Sequence, residues 1–201
     1  MTKWVAGLAL GSLAMAAQSD LVLTGKMLGY KGQPAEILAA LDASGDPNAA
    51  LQIGFLEADG RFKLTLPATV PDEFLSSPEV REHCGDVTLG LKLAALTDVY
   101  IRQNQNIIGS AVFANRRAGI EQLLSGKLTG VSKVGFWFYA NRAGRIVEYC
   151  DAPTSAHSAN VSFKQGWNEV TGVYLAAQKP KTQILNGHAR GLLRWFFVAQ
   201  R

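Results

Sequence analysis

The sequence predicts an all-β fold, an antiparallel β-sandwich with one or two short helices, and three observations carry that prediction. Short apolar or alternating runs, about ten of them, are separated along the whole chain by turn-forming residues. Asp59-Gly60 lies between two alternating runs, Leu51-Gln52-Ile53-Gly54-Phe55 and Phe62-Lys63-Leu64-Thr65-Leu66, and Asp-Gly in that setting is the strongest short-range hairpin signal. Val134-Gly135-Phe136-Trp137-Phe138-Tyr139 is rich in β-formers and apolar on both faces.

The chain begins with a leader pattern. Met1-Thr2-Lys3 supplies one positive charge, Trp4 to Ala16 carries none, and Ala14-Met15-Ala16 places small residues at alternate positions. These are the marks of a secretory signal peptide. The apolar run falls short of the roughly 20 residues a membrane-spanning helix needs. We therefore expect residues 1–16 to be removed and residues 17–201 to form one β-sandwich domain, secreted or periplasmic. The competing readings are a buried N-terminal helix or strand, and two subdomains at 17–67 and 79–201.

Leu21 to Leu28 reads as the first strand and Gly29 to Pro34 as a turn-rich break. Ala35 to Leu41 has the Ala, Glu and Leu content of a helix, but so short a run before the Asp42 to Asn48 turn cluster suits a strand better. Ala50 to Glu57 and Arg61 to Leu66 form the hairpin. Leu51, Ile53 and Phe55 are expected on the buried face of one strand, and Phe62, Leu64 and Leu66 on that of the other. Pro67 to Pro78 is a connection, with a short helix at Pro71 to Leu75 or Pro78 to His83. Val87 to Leu93, Asp98 to Gln103 and Ile107 to Ala114 are strands, and Arg117 to Leu124 is a brief helix. Val134 to Tyr139 leads through the Asn141-Arg142-Ala143-Gly144 turn into Arg145 to Cys150, expected to return beside it. Asn160 to Phe163, Glu169 to Ala176 and Leu192 to Val198 complete the strands.

Composition narrows the class. Hydrophobic residues make up 48% of the chain, enough for a packed core and too many for disorder. The net charge of +4 falls to +3 without the leader (19 basic minus 16 acidic) and is spread along the sequence. The densest basic groups, Arg116-Arg117 and Arg190, Arg194 and Arg201, lack the aromatic or motif context of a nucleic-acid binder. No transmembrane segment is expected in the mature chain.

The two cysteines, Cys84 and Cys150, are expected to form a disulfide, since an even pair in an exported protein is more often bonded than free. A mixed Cys/His metal site with His83 and His157 matches no recognised ligand spacing, so no metal and no cofactor is assigned.

Asp59-Gly60-Arg61-Phe62-Lys63-Leu64-Thr65-Leu66-Pro67 resembles the closing hairpin of carboxypeptidase-regulatory-like, transthyretin-like β-sandwich modules. Trp137 to Val170, ending in Lys164-Gln165-Gly166-Trp167-Asn168-Glu169-Val170, is similar to the C-terminal half of small secreted bacterial β-proteins with a Lys-x-Gly-Trp-Asn-x-Val hairpin. These resemblances imply a β-sandwich and export, and neither implies a catalytic residue.

The chemistry is sparse. Gly109-Ser110-Ala111 lacks the second glycine of a nucleophile elbow. Cys84 and His83, as strand neighbours, would point to opposite faces. Cys150 and His157 can meet in space, but as an oxidised pair member the thiol is spent. Glu57/Asp59 and Glu148/Asp151 lie beside turns, where solvated surface is the usual role. Trp137, Tyr139, Trp167 and Trp195 either pack in the core or form a binding face. A ligand surface is therefore assigned to Trp137, Tyr139, Asn141 and Arg142, for a protein or carbohydrate partner. The expected function is a non-catalytic binding or structural module of the cell envelope or extracellular space. The alternative is an envelope hydrolase with a loop-built site.

Overall fold

The structure is a computed structural model that describes residues 19–41, 46–47, 50–96, 98–125, 127, 129–176, 179–187 and 193–200. The expected leader and the cleavage point expected after Ala16 lie outside the described residues, as does most of the Asp42 to Asn48 cluster. The strands are β1 (Leu21–Lys26), β2 (Ala35–Ala40), β3 (Leu51–Leu56), β4 (Arg61–Leu66), β5 (Gly85–Val87), β6 (Leu93–Leu96), β7 (Asp98–Gln103), β8 (Asn106–Ala114), β9 (Val131–Ala140), β10 (Gly144–Asp151), β11 (Ala156–Phe163), β12 (Gly166–Leu175), β13 (Lys181–Asn186) and β14 (Arg194–Ala199). One α-helix, α1 (Arg117–Leu124), and one 3-10 turn at Asp72–Phe74 complete the described elements. The fold is all-β, as expected.

One hydrogen-bonded sheet runs in the order β1-β4-β3-β2-β7-β8-β9-β12-β13-β11-β10-β5, with β14 on β8 and β6 on β9. The named pairs are antiparallel except β11 and β13, which run parallel. Its first half closes on itself. Leu28, just past β1, bridges to Phe196 of β14, with Leu28 N–H donating to Trp195 O at 2.8 Å and Phe197 N–H to Leu28 O at 2.9 Å. The ring β1-β4-β3-β2-β7-β8-β14 thereby returns to the chain that began it and removes most of its free edges. β2 pairs with β7 from Glu36↔Arg102 to Ala40↔Asp98, so the first four strands share one sheet with the strands that follow.

Two main cores result. The larger holds Met27, Ile37, Leu56, Leu64, Leu66, Ile101, Trp137 and Trp195 among others. The smaller holds Leu91, Leu93, Ala140, Val161, Phe163 and Val170, under the curl of β9-β12-β13-β11-β10-β5. β9 belongs to both: Trp137 and Tyr139 enter the larger core, Ala140 and Phe138 the smaller. That sharing explains why its sequence is apolar on both faces. Ile120 of α1 packs with Ala114, Val134 and Phe196 in a third cluster.

The hairpin forms as expected. Glu57 N–H donates to Arg61 O at 2.7 Å, Gly60 N–H to Glu57 O at 2.9 Å, and Gly60 takes φ +87°, the left-handed position such a turn reserves for glycine. Phe62, Leu64 and Leu66 are buried. Leu51 and Phe55 are not. The β2–β3 register jumps from Ile37↔Gly54 to Leu38↔Gln52, leaving Ile53 as an extra residue. That bulge shifts the alternation, so Ile53 and Leu56 point inward while Phe55 is 62% exposed.

Three further expectations are corrected. Val87 to Leu93 is interrupted: Thr88 to Lys92 is a turn with Gly90 at φ +74°, and β5 and β6 lie on either side. β10 does not pair with β9. It pairs with β11 and β5, because the Asn141–Gly144 turn crosses the top of the smaller core instead of reversing in plane. Asn141 fixes that crossing: Lys92 N–H donates to Asn141 Oδ1 at 2.8 Å, and Asn141 N–H to Lys92 O at 3.1 Å. β13, absent from the sequence reading, sits between β12 and β11 with little apolar content to announce it.

Candidate functional site

Trp137 and Tyr139, assigned to a ligand surface, are each only 5% exposed. Trp137 stacks on Trp195 with ring centres 5.3 Å apart and planes 10° apart, and Phe113 lies 5.0 Å from Trp137. Tyr139 meets Trp167 edge-on at 5.6 Å. These aromatic residues form the centre of the larger core, and Trp137 also lines the floor of the groove described next, whereas Tyr139 does not. Asn141 acts as the turn lock described above. Arg142 is exposed beside it.

A groove of about 600 Å³ opens one strand away. Leu21 and Leu23 of β1 form one wall; Trp167, Asn168 and Glu169 of β12 form the other, with Ser162, Lys164 and Asn186 at the rim. The motif residues account for its shape. Buried Asn168 accepts from Lys164 N–H at 3.0 Å and donates to Lys164 O at 2.8 Å and Gly166 O at 2.7 Å. The amide thus pins the loop that carries Lys164 and Trp167. Trp167 Nε1–H donates to Pro67 O at 2.8 Å, which leaves the indole partly buried with its ring toward the groove wall. Asn186 repeats the device, accepting from Ser162 N–H at 2.8 Å and donating to Ser162 O at 2.6 Å. A rim built from pinned amides, a hydroxyl, an ammonium and an indole is pre-organised for a polar ligand with an apolar face.

A second cluster gathers around the disulfide. Cys84 and Cys150 are bonded, with Cα atoms 5.2 Å apart. Register places His157 of β11 opposite Cys150 of β10. Glu148, two residues before Cys150, shares its face. Glu148 is 8% exposed, with Oε2 3.2 Å from His157 Nε2 and Oε1 3.6 Å from Cys150 Sγ. Arg81 N–H donates to Glu148 Oε1 at 3.3 Å. The sequence placed Glu148 on a solvated surface beside a turn; the strand buries it because even-numbered β10 residues face inward. Among the described residues, no group of three or more His, Cys, Asp and Glu side chains is arranged to hold a metal ion.

Burial pushes the Tyr30 and Tyr174 phenols above their usual range. The backbone N–H of Arg61 lowers the Asp59 carboxyl, helped by the Arg61 and Lys26 charges. Neither effect falls at the groove or the disulfide.

No family model, no curated protein and no solved structure matches the chain. Among the described residues no helix is long and apolar enough to cross a membrane.

Proposed function

We propose that the protein is an exported, non-catalytic β-sandwich module of the cell envelope or extracellular space, and that it binds an extended polar ligand in the groove between β1 and β12. The groove carries this reading. Its indole offers a stacking face, and the exposed Asn186 amide, Ser162 hydroxyl and Lys164 ammonium offer donors and acceptors at its rim. That combination suits a sugar chain, whose rings have an apolar face and an equatorial belt of hydroxyls. The leader pattern and the disulfide support export, since disulfides persist in oxidising compartments.

Titration of the mature protein with soluble envelope glycans, followed by tryptophan fluorescence, tests the reading. Binding should be saturable, and Trp167→Ala should weaken it by roughly 1–3 kcal/mol, the usual loss of an aromatic stacking partner. Binding unchanged in Trp167→Ala, or absent for every glycan, would remove the groove from the proposal. Mass spectrometry of the exported protein should find Ala17 at the N-terminus; intact Met1 on soluble cytoplasmic protein would remove export.

A further inference from the structure

We propose that the Cys84–Cys150 disulfide is an exchange-active redox site whose substrates are thiols: Cys84 is the sulfur open to attack, Cys150 the buried leaving sulfur, and Glu148 with His157 the proton carriers. The asymmetry of the two sulfurs is the first support. Cys150 is 5% exposed, whereas Cys84 is partly exposed and lies between exposed His83 and exposed Gly85. An incoming thiol therefore reaches Cys84 first.

The second support is Glu148. A disulfide that only ties strands together needs no ionisable neighbour, and a buried carboxylate against sulfur is costly to keep. Here Glu148 Oε1 contacts Cys150 Sγ at 3.6 Å while Oε2 lies 3.2 Å from His157 Nε2, and His157 is partly exposed. Sulfur, carboxyl, imidazole and solvent form a continuous path for a proton. The third support is the turn that presents Cys84. Cys84 N–H donates to Arg81 O at 2.9 Å, and His83 occupies φ +63°, a position that normally calls for glycine. Such backbone strain concentrates at functional sites.

The chemistry balances as thiol–disulfide exchange. An external thiolate attacks Cys84 Sγ and forms a new S–S bond. The Cys84–Cys150 bond breaks, and its electron pair goes to Cys150 Sγ. A bare thiolate there, buried beside Glu148, would be strongly disfavoured, so a proton from solvent is relayed to it through His157 and Glu148, which span the distance from the surface to Cys150 Sγ. If the external molecule is a dithiol, its second thiolate attacks its own sulfur in the mixed disulfide; the bond to Cys84 Sγ breaks, Cys84 leaves as a thiolate that takes a proton from solvent, and the dithiol departs as a disulfide. Two electrons then pass from the dithiol to Cys84 and Cys150. After reduction the two cysteines stay together, because Tyr149 N–H donates to Cys84 O at 2.7 Å and Gly85 pairs with Glu148.

Incubation of the folded, oxidised mature protein with reduced glutathione, followed by alkylation and peptide mass spectrometry, tests the site. Glutathione should be found on Cys84 and not on Cys150 while circular dichroism stays native. Glu148→Gln should slow the exchange by at least about tenfold at neutral pH, in line with loss of the group that relays the proton, and His157→Asn should slow it less. The oxidised Glu148→Gln protein should melt close to wild type. Exchange that occurs only in urea, glutathione distributed over both cysteines, or a Glu148→Gln rate equal to wild type would each overturn the proposal. If Glu148→Gln does not fold, the labelling pattern of the wild-type protein decides alone. Glycan binding at the groove is unaffected by either outcome, which separates this site from the function proposed above.

Discussion

The closed ring and the open curl of this sheet are held together by different means. Twenty buried hydrophobic residues cluster inside the ring, against six in the curl, among the described residues. The ring has a stacked pair of tryptophans at its centre and closes its own edge through Leu28 and Phe196. The curl ends in β5, a strand of three residues. Directional links make up the difference there. The disulfide ties Cys84 to β10, Arg145 Nη2 donates to Asn160 Oδ1 at 2.9 Å, Lys179 pairs with Asp151, and Asn186 holds Ser162. Burial is non-directional and scales with area, so a small core gains more from each covalent or hydrogen-bonded tie than a large one does. The ring should therefore be sensitive to cavities and the curl to loss of its ties.

Trp137→Ala should have the largest effect on stability, about 3–5 kcal/mol, because it empties the centre of the ring against Trp195 and Phe113. A loss of unfolding free energy below about 1 kcal/mol, read from the urea midpoint and slope, would mean that the ring is not the stabilising region. The Cys84→Ser/Cys150→Ser double variant comes next. Its closed loop spans a sequence separation of 66, and typical losses are about 2–4 kcal/mol, mainly through a less restricted unfolded chain. The comparison is sharpened by where the loss appears. Amide exchange should rise first in β5, β10 and β11, while β2, β4 and β7 stay protected; a uniform rise would show that ring and curl unfold as one. Titration of the untreated, denatured wild type should find no free thiol.

The tyrosines give a smaller, pH-dependent contrast. Burial favours the neutral phenol of Tyr30 in the ring and of Tyr174 beside the third cluster, so both titrate above free tyrosine in the folded state. Folded pKa values above the unfolded value of 10.0 leave stability unaffected well below that pH. Stability then falls as pH rises through the unfolded pKa toward the folded ones. Ultraviolet titration near the phenolate band should show two late-titrating tyrosines whose ionisation accompanies unfolding. Titration of all tyrosines together near the unfolded value would contradict the burial.

Much of the secondary structure was legible because the signals are local. Asp98–Gln103 and Arg117–Leu124 are read off the sequence at their observed bounds, and the Asp59-Gly60 turn needs only its own residues. Pairing was less legible. Arg145 to Cys150 follows Tyr139 so closely that a hairpin is the natural reading, and only the long-range lock of Asn141 on Lys92 sends the strand elsewhere. For the same reason the site was half visible. His157 opposite Cys150 could be suspected from spacing, but the burial of Glu148 depends on which face of β10 meets the smaller core. Lys164-Gln165-Gly166-Trp167-Asn168 reads as a motif on its own, yet the wall that turns it into a groove is β1, far away in sequence.

The smallest predicted effect tests the bulge in β3. Strict alternation from Leu51 through Phe55 puts Phe55 in the ring, where Phe→Ala would cost about 3–5 kcal/mol. The register jump at Ile53 instead turns Phe55 outward and brings Leu56 in. Phe55→Ser should then change stability by no more than about 0.5 kcal/mol, as surface substitutions do, while Leu56→Ala should cost about 2–5 kcal/mol. Denaturant midpoints of the two variants decide between the patterns. A large loss at Phe55 with a small one at Leu56 would restore regular alternation, remove the bulge, and reverse which side of β3 lines the ring.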